Sequence, residues 1–374
     1  MAFDPHFPQF QNSVCKYRHF IPMNHLYSLV LESIERVEWV VLEIFFVISM
    51  IFSVYSPNAW TLTDPNEKPL ENVSIQLNMW SRGFYFAGYY AAVEKGFYQQ
   101  EGLQVQLKER NFEKYNVESV LDGEAEYGIS DSGLLIYRME GEPVVLLGQI
   151  FQHSPLIFIA KRDTGIVSPY EMTGRRVMMD LRVKYEAPLY AMIEEILGGV
   201  SKIHAIQHNF DYNYFYTDKI DAIATFITDQ PYLMKQQGID INIINPQSYG
   251  MDFYGDNLFT TEKEILQHPG RAERVLQATL KGWQYALSHK EEMFDLIQNK
   301  YGVVSDLGLL EYEAKMIDLL ILPELIPLGE VNSARYNWAA ETFFRLGMAK
   351  SKNVPEGFIY SKKSEPSLAL NPQE

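Results

Sequence analysis

Between Val73 and Leu107 the chain alternates, turns helical, and alternates again. Val73, Ile75 and Leu77 stand between polar neighbours, the two-residue period of a strand with one buried face. Asn78-Met79-Trp80-Ser81-Arg82-Gly83 follows as a polar, aromatic turn. Phe86, Tyr89, Tyr90, Val93 and Phe97 then recur at helical spacing, Gly96 and Gly102 stop the run, and Leu103, Val105 and Leu107 resume the alternation. The unit is strand, turn, helix, strand. In a parallel sheet, the turn leaving the carboxyl end of such a strand is where ligands sit.

The same pattern continues. Asn116–Leu121 reads as a short helix, Tyr127–Ser130 as a strand, and Asp131-Ser132-Gly133 opens a helix running to Met139. Val144–Leu147 is a continuous apolar run, the mark of a strand buried on both faces. Gln149–Pro155 is then read as a crossing into a second lobe, with Leu156–Ala160 beyond it. Arg175–Met179, the turn Asp180–Glu186 and the helix Ala187–Leu197 open that lobe's sheet, and Lys219–Phe226 is its next strand. Asp229-Gln230-Pro231 starts a helix ending at Gly238, with proline in its first turn. Ile239–Ile244 is a strand and Asn245–Asp256 the return crossing. Glu124–Gly141 and Lys219–Gly238 are the same device twice: polar loop, apolar strand, Asp-containing turn, helix. From Glu262 the pattern is helical to Met348, with Pro269-Gly270 parting two helices. The expected fold class is α/β. Residues 72–155 and 257–360 form lobe I and 156–256 lobe II, each a mostly parallel sheet flanked by helices, with a ligand cleft between them.

The ends read differently. Ile44–Val54 is an uninterrupted apolar core of 11 residues, the length of a signal-peptide h-region and short for a span of about 20. A span over 37–55 would place Glu43 in hydrocarbon at about 3 kcal/mol. The segment is read as a signal peptide or membrane anchor behind an N-terminal extension, 1–36; a buried amphipathic helix is the competing reading, and Met23 is an alternative start. Either export reading puts the globular part outside the cytoplasm. Residues 56–71, with three prolines, read as a linker, and the polar tail 361–374 as disordered.

Composition narrows the chemistry. Among 374 residues, 48 acidic against 32 basic give a net charge of −16, which disfavours a nucleic-acid partner. Cys15 is the one cysteine, so an internal disulfide and a thiolate metal cluster are excluded. His153, beside a proline and without a second histidine or carboxylate at relay or metal spacing, reads as structural. The 14% aromatic content fits aromatic cores or a cleft lined with rings for a flat ligand.

The segments FAGYYAAVEKGFYQQEGL, EAEYGISDSGLL, EPVVLLGQIFQHSP and NWAAETFFRLGMAKS resemble the SsuA/NMT1-like group of type II periplasmic substrate-binding proteins, in the branch for thiamine-pyrimidine precursors. The resemblance implies two lobes closing on a small flat heterocycle such as formylaminopyrimidine or hydroxymethylpyrimidine, delivered to ABC permease subunits, with no cofactor. On that reading Trp80, Tyr85 and Tyr89 supply stacking faces, Ser130, Asp131 and Ser132 bind exocyclic polar groups, and Tyr185, Glu186 and Asp229 pair with N–H groups. Tyr254 lies with Tyr249 on the return crossing, and closure pivots near His153 and Tyr249.

The group also contains an enzyme branch that makes hydroxymethylpyrimidine phosphate from pyridoxal phosphate and its own histidine, with iron. Where those enzymes carry a lysine and a histidine, this chain has Ile129-Ser130-Asp131-Ser132-Gly133. Where they have a GEFG-like phosphate turn, it has Leu181-Arg182-Val183-Lys184, whose side chains obstruct close backbone approach although the two cations suit an anion. The CCCFC-like motif is missing. A solute-binding protein is therefore the reading; the pyrimidine synthase and a ligand-sensing input module are the alternatives.

Overall fold

The computed structural model describes residues 69–79, 83–110, 114–301 and 306–361. Trp80, the segment 37–55 and the tail from Lys362 lie outside them. Among the described residues, ten strands make two five-stranded sheets: β1 (Glu71–Gln76), β2 (Leu103–Lys108), β3 (Tyr127–Ser130), β4 (Val144–Phe151), β5 (Leu156–Lys161), β6 (Arg176–Met179), β7 (His204–Gln207), β8 (Ala222–Phe226), β9 (Ile241–Ile244) and β10 (Gly255–Thr261). The first sheet runs β2-β1-β3-β10-β4 and the second β7-β6-β8-β5-β9.

The two orders are one order. β6, β7, β8 and β9 occupy the places of β1, β2, β3 and β4, and β5 occupies that of β10. In each sheet the three leading strands are parallel, and the fourth in spatial order, β10 or β5, is antiparallel to both neighbours. Each antiparallel strand is the one the chain enters on crossing from the other sheet. The repeated device seen in the sequence thus lands on equivalent strands, β3 and β8.

The crossings are tied to each other. Ser154 N–H donates to the Phe253 carbonyl at 2.8 Å, His153 Nδ1 lies 2.7 Å from Asp252 Oδ1, and Arg335 reaches the same carboxylate at 3.0 Å. His153 therefore has the structural setting its sequence context indicated.

Three details differ from the sequence pattern. β4 continues through Gln149 to Phe151, where the crossing was expected. Gln149 is fully buried because its Nε2 donates to the Phe151 and Gly255 carbonyls and its Oε1 accepts from Tyr336, which removes the cost of burying an amide. β10, GDNLFTT, carries turn-forming residues, yet it lies between β3 and β4 with every residue buried; sheet context overrides local preference. β7 is a four-residue edge strand with little apolar signal.

The opening helix packs through glycines. Ala87–Glu94 crosses Arg271–Ser288 where Gly88 faces the Trp283 ring and Gly282 faces the Gly88 carbonyl, both closer than a Cβ permits. Trp283 is fully buried, in edge contact with Tyr89 (5.8 Å) and Phe151 (5.8 Å). Gly282→Ala should therefore lower Tm: overpacking costs about 1–3 kcal/mol, more than the roughly 1 kcal/mol that alanine's helix preference returns. A thermal melt reads this, and a raised Tm would mean that the helices part freely.

Candidate functional site

The carboxyl ends of six parallel strands point at one another across the two sheets. β1 leads to Asn78 and Met79, β2 to Arg110, β3 to Asp131, β6 to Asp180, β7 to His208, and β8 to Asp229. The antiparallel strands begin on the same side, β5 after Pro155 and β10 at Gly255-Asp256. Together they enclose a cavity of about 310 Å³. That is the lower end of the ~300–1,000 Å³ range of small-molecule sites. A larger groove of about 740 Å³ lies on the outside of lobe I, between the Arg271–Ser288 and Leu307–Ile321 helices, away from every strand end.

The walls are rings. Tyr85, Tyr115, Tyr185, Phe210, Tyr212 and Phe226 line the cavity, and the Tyr115 and Tyr185 rings stack with centroids 3.6 Å apart at 18°. Tyr85 is held by the turn before it. The Phe84 N–H donates to the buried Glu313 carboxylate, and Gly83, at φ 60°, stands where a side chain would strike that carboxylate. Burial pushes the Glu313 carboxyl up to about 8.

Acceptors outnumber donors. Five carboxylates line the space: Asp131, Asp180, Glu186, Asp229 and Asp256. Burial raises Asp131 to about 7, against one opposing bond from the Gly133 N–H at 2.7 Å. Burial likewise raises Asp229 to about 6 although the Gln230 N–H caps it at 2.7 Å. Glu186 and Asp256 are pushed well above the usual carboxylate range, chiefly by burial. Asp180 goes the other way: burial pushes it up, but Arg182 Nε at 2.9 Å and NH2 at 2.7 Å hold it below. His208 accepts from the Phe210 N–H at Nδ1 (2.9 Å) and faces the Ala224 carbonyl from Nε2 (3.0 Å), and burial brings its imidazole down to about 4. It is neutral, with its proton on Nε2. Arg110 is the one lining cation among the described residues; its guanidinium lies 4.9 Å from the Phe210 centroid, and its Nε has no hydrogen-bond partner among them.

Of the ten residues singled out from sequence, Tyr85, Asp131, Tyr185, Glu186 and Asp229 line the cavity. Tyr89 turns into the lobe I core, its hydroxyl 3.4 Å from Asp256 Oδ2, and so stands behind the wall. Ser130 and Ser132 are buried outside the lining, and their Oγ atoms have no hydrogen-bond partner among the described residues. Tyr254 packs on Tyr336 (5.1 Å) and Arg335 (4.1 Å). Trp80 is not among the described residues. The pattern missed Arg110, Tyr115, Asp180, His208, Phe210, Tyr212 and Asp256. The usable signal was position: each of Arg110, Asp180 and His208 falls one or two residues past a strand end.

The lobes meet at one edge of the cavity. Gly133 faces the Lys184 carbonyl inside the space a Cβ needs, although its φ of −62° is ordinary helix, so the glycine is there for close approach alone. Around it, the Tyr185 hydroxyl donates to Glu118 at 3.1 Å and Lys184 Nζ to Glu140 at 2.8 Å. Arg182 and Lys184, considered from sequence as anion attractors, are instead paired with Asp180 and Glu140.

The family model described as NMT1/THI5 like matches residues 83–293. The riboflavin-binding protein RibY of Chloroflexus aurantiacus is 24% identical over 241 residues, 62% of this chain and 67% of its own. The formylaminopyrimidine-binding protein of Halalkalibacterium halodurans is 22% identical over 285 residues, 74% of this chain and 85% of its own. Among solved structures, the alkanesulfonate-binding protein SsuA of Xanthomonas axonopodis pv. citri bound to MOPS superposes with a TM-score of 0.60 at 9% identity, covering 78% of this chain and 99% of that one; the likeness is one of fold.

Two outcomes are expected. Gly133→Ala should fold normally, since alanine favours helices, yet hold the lobes apart; small-angle scattering should show a larger radius of gyration, and an unchanged radius would remove the contact from closure. Asp131 and Asp229, at about 7 and 6 when folded, stand above the ~3.9 of an unfolded aspartate. The folded state therefore keeps protons that the unfolded chain has lost. The stability they contribute is full below about pH 4 and drains as pH rises through 6 and 7. Between pH 5 and 8, Tm of the wild type should fall more than that of the Asp131→Asn/Asp229→Asn variant; parallel curves would mean that neither carboxyl is perturbed.

Proposed function

The chain belongs to the NMT1/THI5-like family, and on that footing we propose that it is an extracytoplasmic solute-binding protein for a small flat nitrogen heterocycle, delivered to an ABC permease. The observation that carries the reading is the cavity between the two sheets, lined by aromatic side chains and buried carboxylates. Rings of this kind sandwich a planar ligand. Carboxylates accept its N–H groups, Glu186 and Asp229 from lobe II and Asp131 from lobe I. A volume of about 310 Å³ suits a pyrimidine such as formylaminopyrimidine or hydroxymethylpyrimidine better than a flavin.

We place the lobe boundaries at the crossings, 72–155 with 255–360 and 156–254, two residues earlier than the sequence reading because β10 begins at Gly255 and belongs to the first sheet; closure is a hinge motion about the tied pair of crossings. No helix among the described residues is long and apolar enough to cross a membrane; export through residues 37–55 is part of the proposal and concerns a segment outside them.

The test is a thermal-shift and calorimetry panel on the full chain: hydroxymethylpyrimidine, formylaminopyrimidine, thiamine, riboflavin, pyridoxal phosphate and taurine. A ligand at 100 times its Kd adds about 2.7 kcal/mol to stability. Selective stabilisation by a pyrimidine is expected, and Glu186→Gln should weaken amino-bearing ligands most. Preference for pyridoxal phosphate with a Schiff-base absorbance would favour the synthase reading instead.

A further inference from the structure

Asp256 sits at the start of β10, 1% exposed, in the wall of the cavity. Its φ of 52° is left-handed, a conformation a non-glycine residue keeps only where its surroundings fix it. Those surroundings are on both sides. The Gly255 carbonyl accepts from Gln149 Nε2 at 2.7 Å, and the Gly255 Cα is pressed against Pro155 so closely that no side chain fits. The Asn257 amide lies against the Tyr336 hydroxyl, its Oδ1 2.9 Å away, while that hydroxyl's proton goes to Gln149 Oε1. The Asp256 backbone is thereby held with little freedom in the cavity wall. Oδ2 takes the Tyr89 hydroxyl at 3.4 Å, and Oδ1 has no partner among the described residues.

A structural aspartate at a left-handed position normally bonds its own backbone or a cation. This one does neither, and none of the ion pairs among the described residues includes it. Buried acceptors left unmatched carry a cost that ligand binding can recover. Asn78 Oδ1, also in the cavity wall, is a second acceptor in the same condition. We infer that Asp256 is a specificity-determining residue of this site, accepting through Oδ1 an N–H from an amino group or protonated ring nitrogen of the ligand. The inference rests on the solute-binding reading above and deepens it: the wall at the start of β10 selects an N–H edge over a carbonyl. Burial pushes this carboxyl well above the usual range, so an N–H partner is what favours its ionised form.

The experiment compares 4-amino-5-hydroxymethyl-2-methylpyrimidine with its 4-oxo analogue by calorimetry on the full-length wild type, Asp256→Asn and Asp256→Gly. Both replacements tolerate a left-handed φ, so both should fold, with thermal melts as the check. The wild type should prefer the amino ligand by about tenfold or more, and Asp256→Gly should bring the two within about threefold, with Asp256→Asn between. A wild type that binds both equally, or an amino preference that survives in both variants, overturns the inference while leaving the solute-binding reading intact. Binding of neither pyrimidine by the wild type overturns both.

Discussion

Burying carboxylates between two lobes is the constraint on which the rest of this structure depends. An ionised carboxylate taken out of water costs several kcal/mol unless it is paired or gives up its charge. Each acid in the cavity meets that cost in its own way. Asp180 pairs with Arg182. Asp131 accepts the Gly133 N–H just ahead of its helix, Asp229 accepts the first N–H of the helix that follows it, and both rise toward neutrality. Glu186 accepts the Asp180 N–H at 3.0 Å and is pushed well above the usual carboxylate range, chiefly by burial. A site so built is acceptor-rich and short of cations. On the proposed function, such a site would discriminate by leaving acceptors unmatched when the wrong ligand is present, which separates ligands more sharply than shape alone.

Closure must then seal these groups without adding a charge of its own. The seal is made of backbone and rings: Gly133 on the Lys184 carbonyl, and Tyr115 on Tyr185. The Lys184–Glu140 pair is partly exposed at the rim, where such pairs contribute between nothing and about 1 kcal/mol. Its value is alignment, bringing the Arg182–Tyr185 turn over the helix that starts after Gly133.

Much of this was legible in the sequence, and the gaps have physical reasons. Strands with a clear period or an apolar run, such as Val73–Leu77 and Tyr127–Ser130, were found where they stand, as was the Ala187–Leu197 helix. β10 was not found, because GDNLFTT is held as a strand by its two neighbours and not by its own preferences. Losing β10 also lost Asp256, which looked like part of a loop. Losing β7 lost His208 for the same reason. Tyr89 shows the converse: helical spacing predicted its helix correctly but could not say which face would turn to Trp283. Tyr115 and Phe210 lie in irregular segments, where no periodicity marks a ring as cavity-facing.

The shared strand order has a consequence for how such a site can change over time. Because β3 and β8 hold equivalent places, Asp131 and Asp229 are counterparts, one contributed by each half of the cleft. The incoming strands open differently: β10 on Gly255 and Asp256, β5 on Leu156 directly after Pro155. The two halves thus present the same scaffold with unlike chemistry, one polar and one greasy where these strands open. One half can therefore be redrawn by substitution while the other keeps its share of the cavity wall.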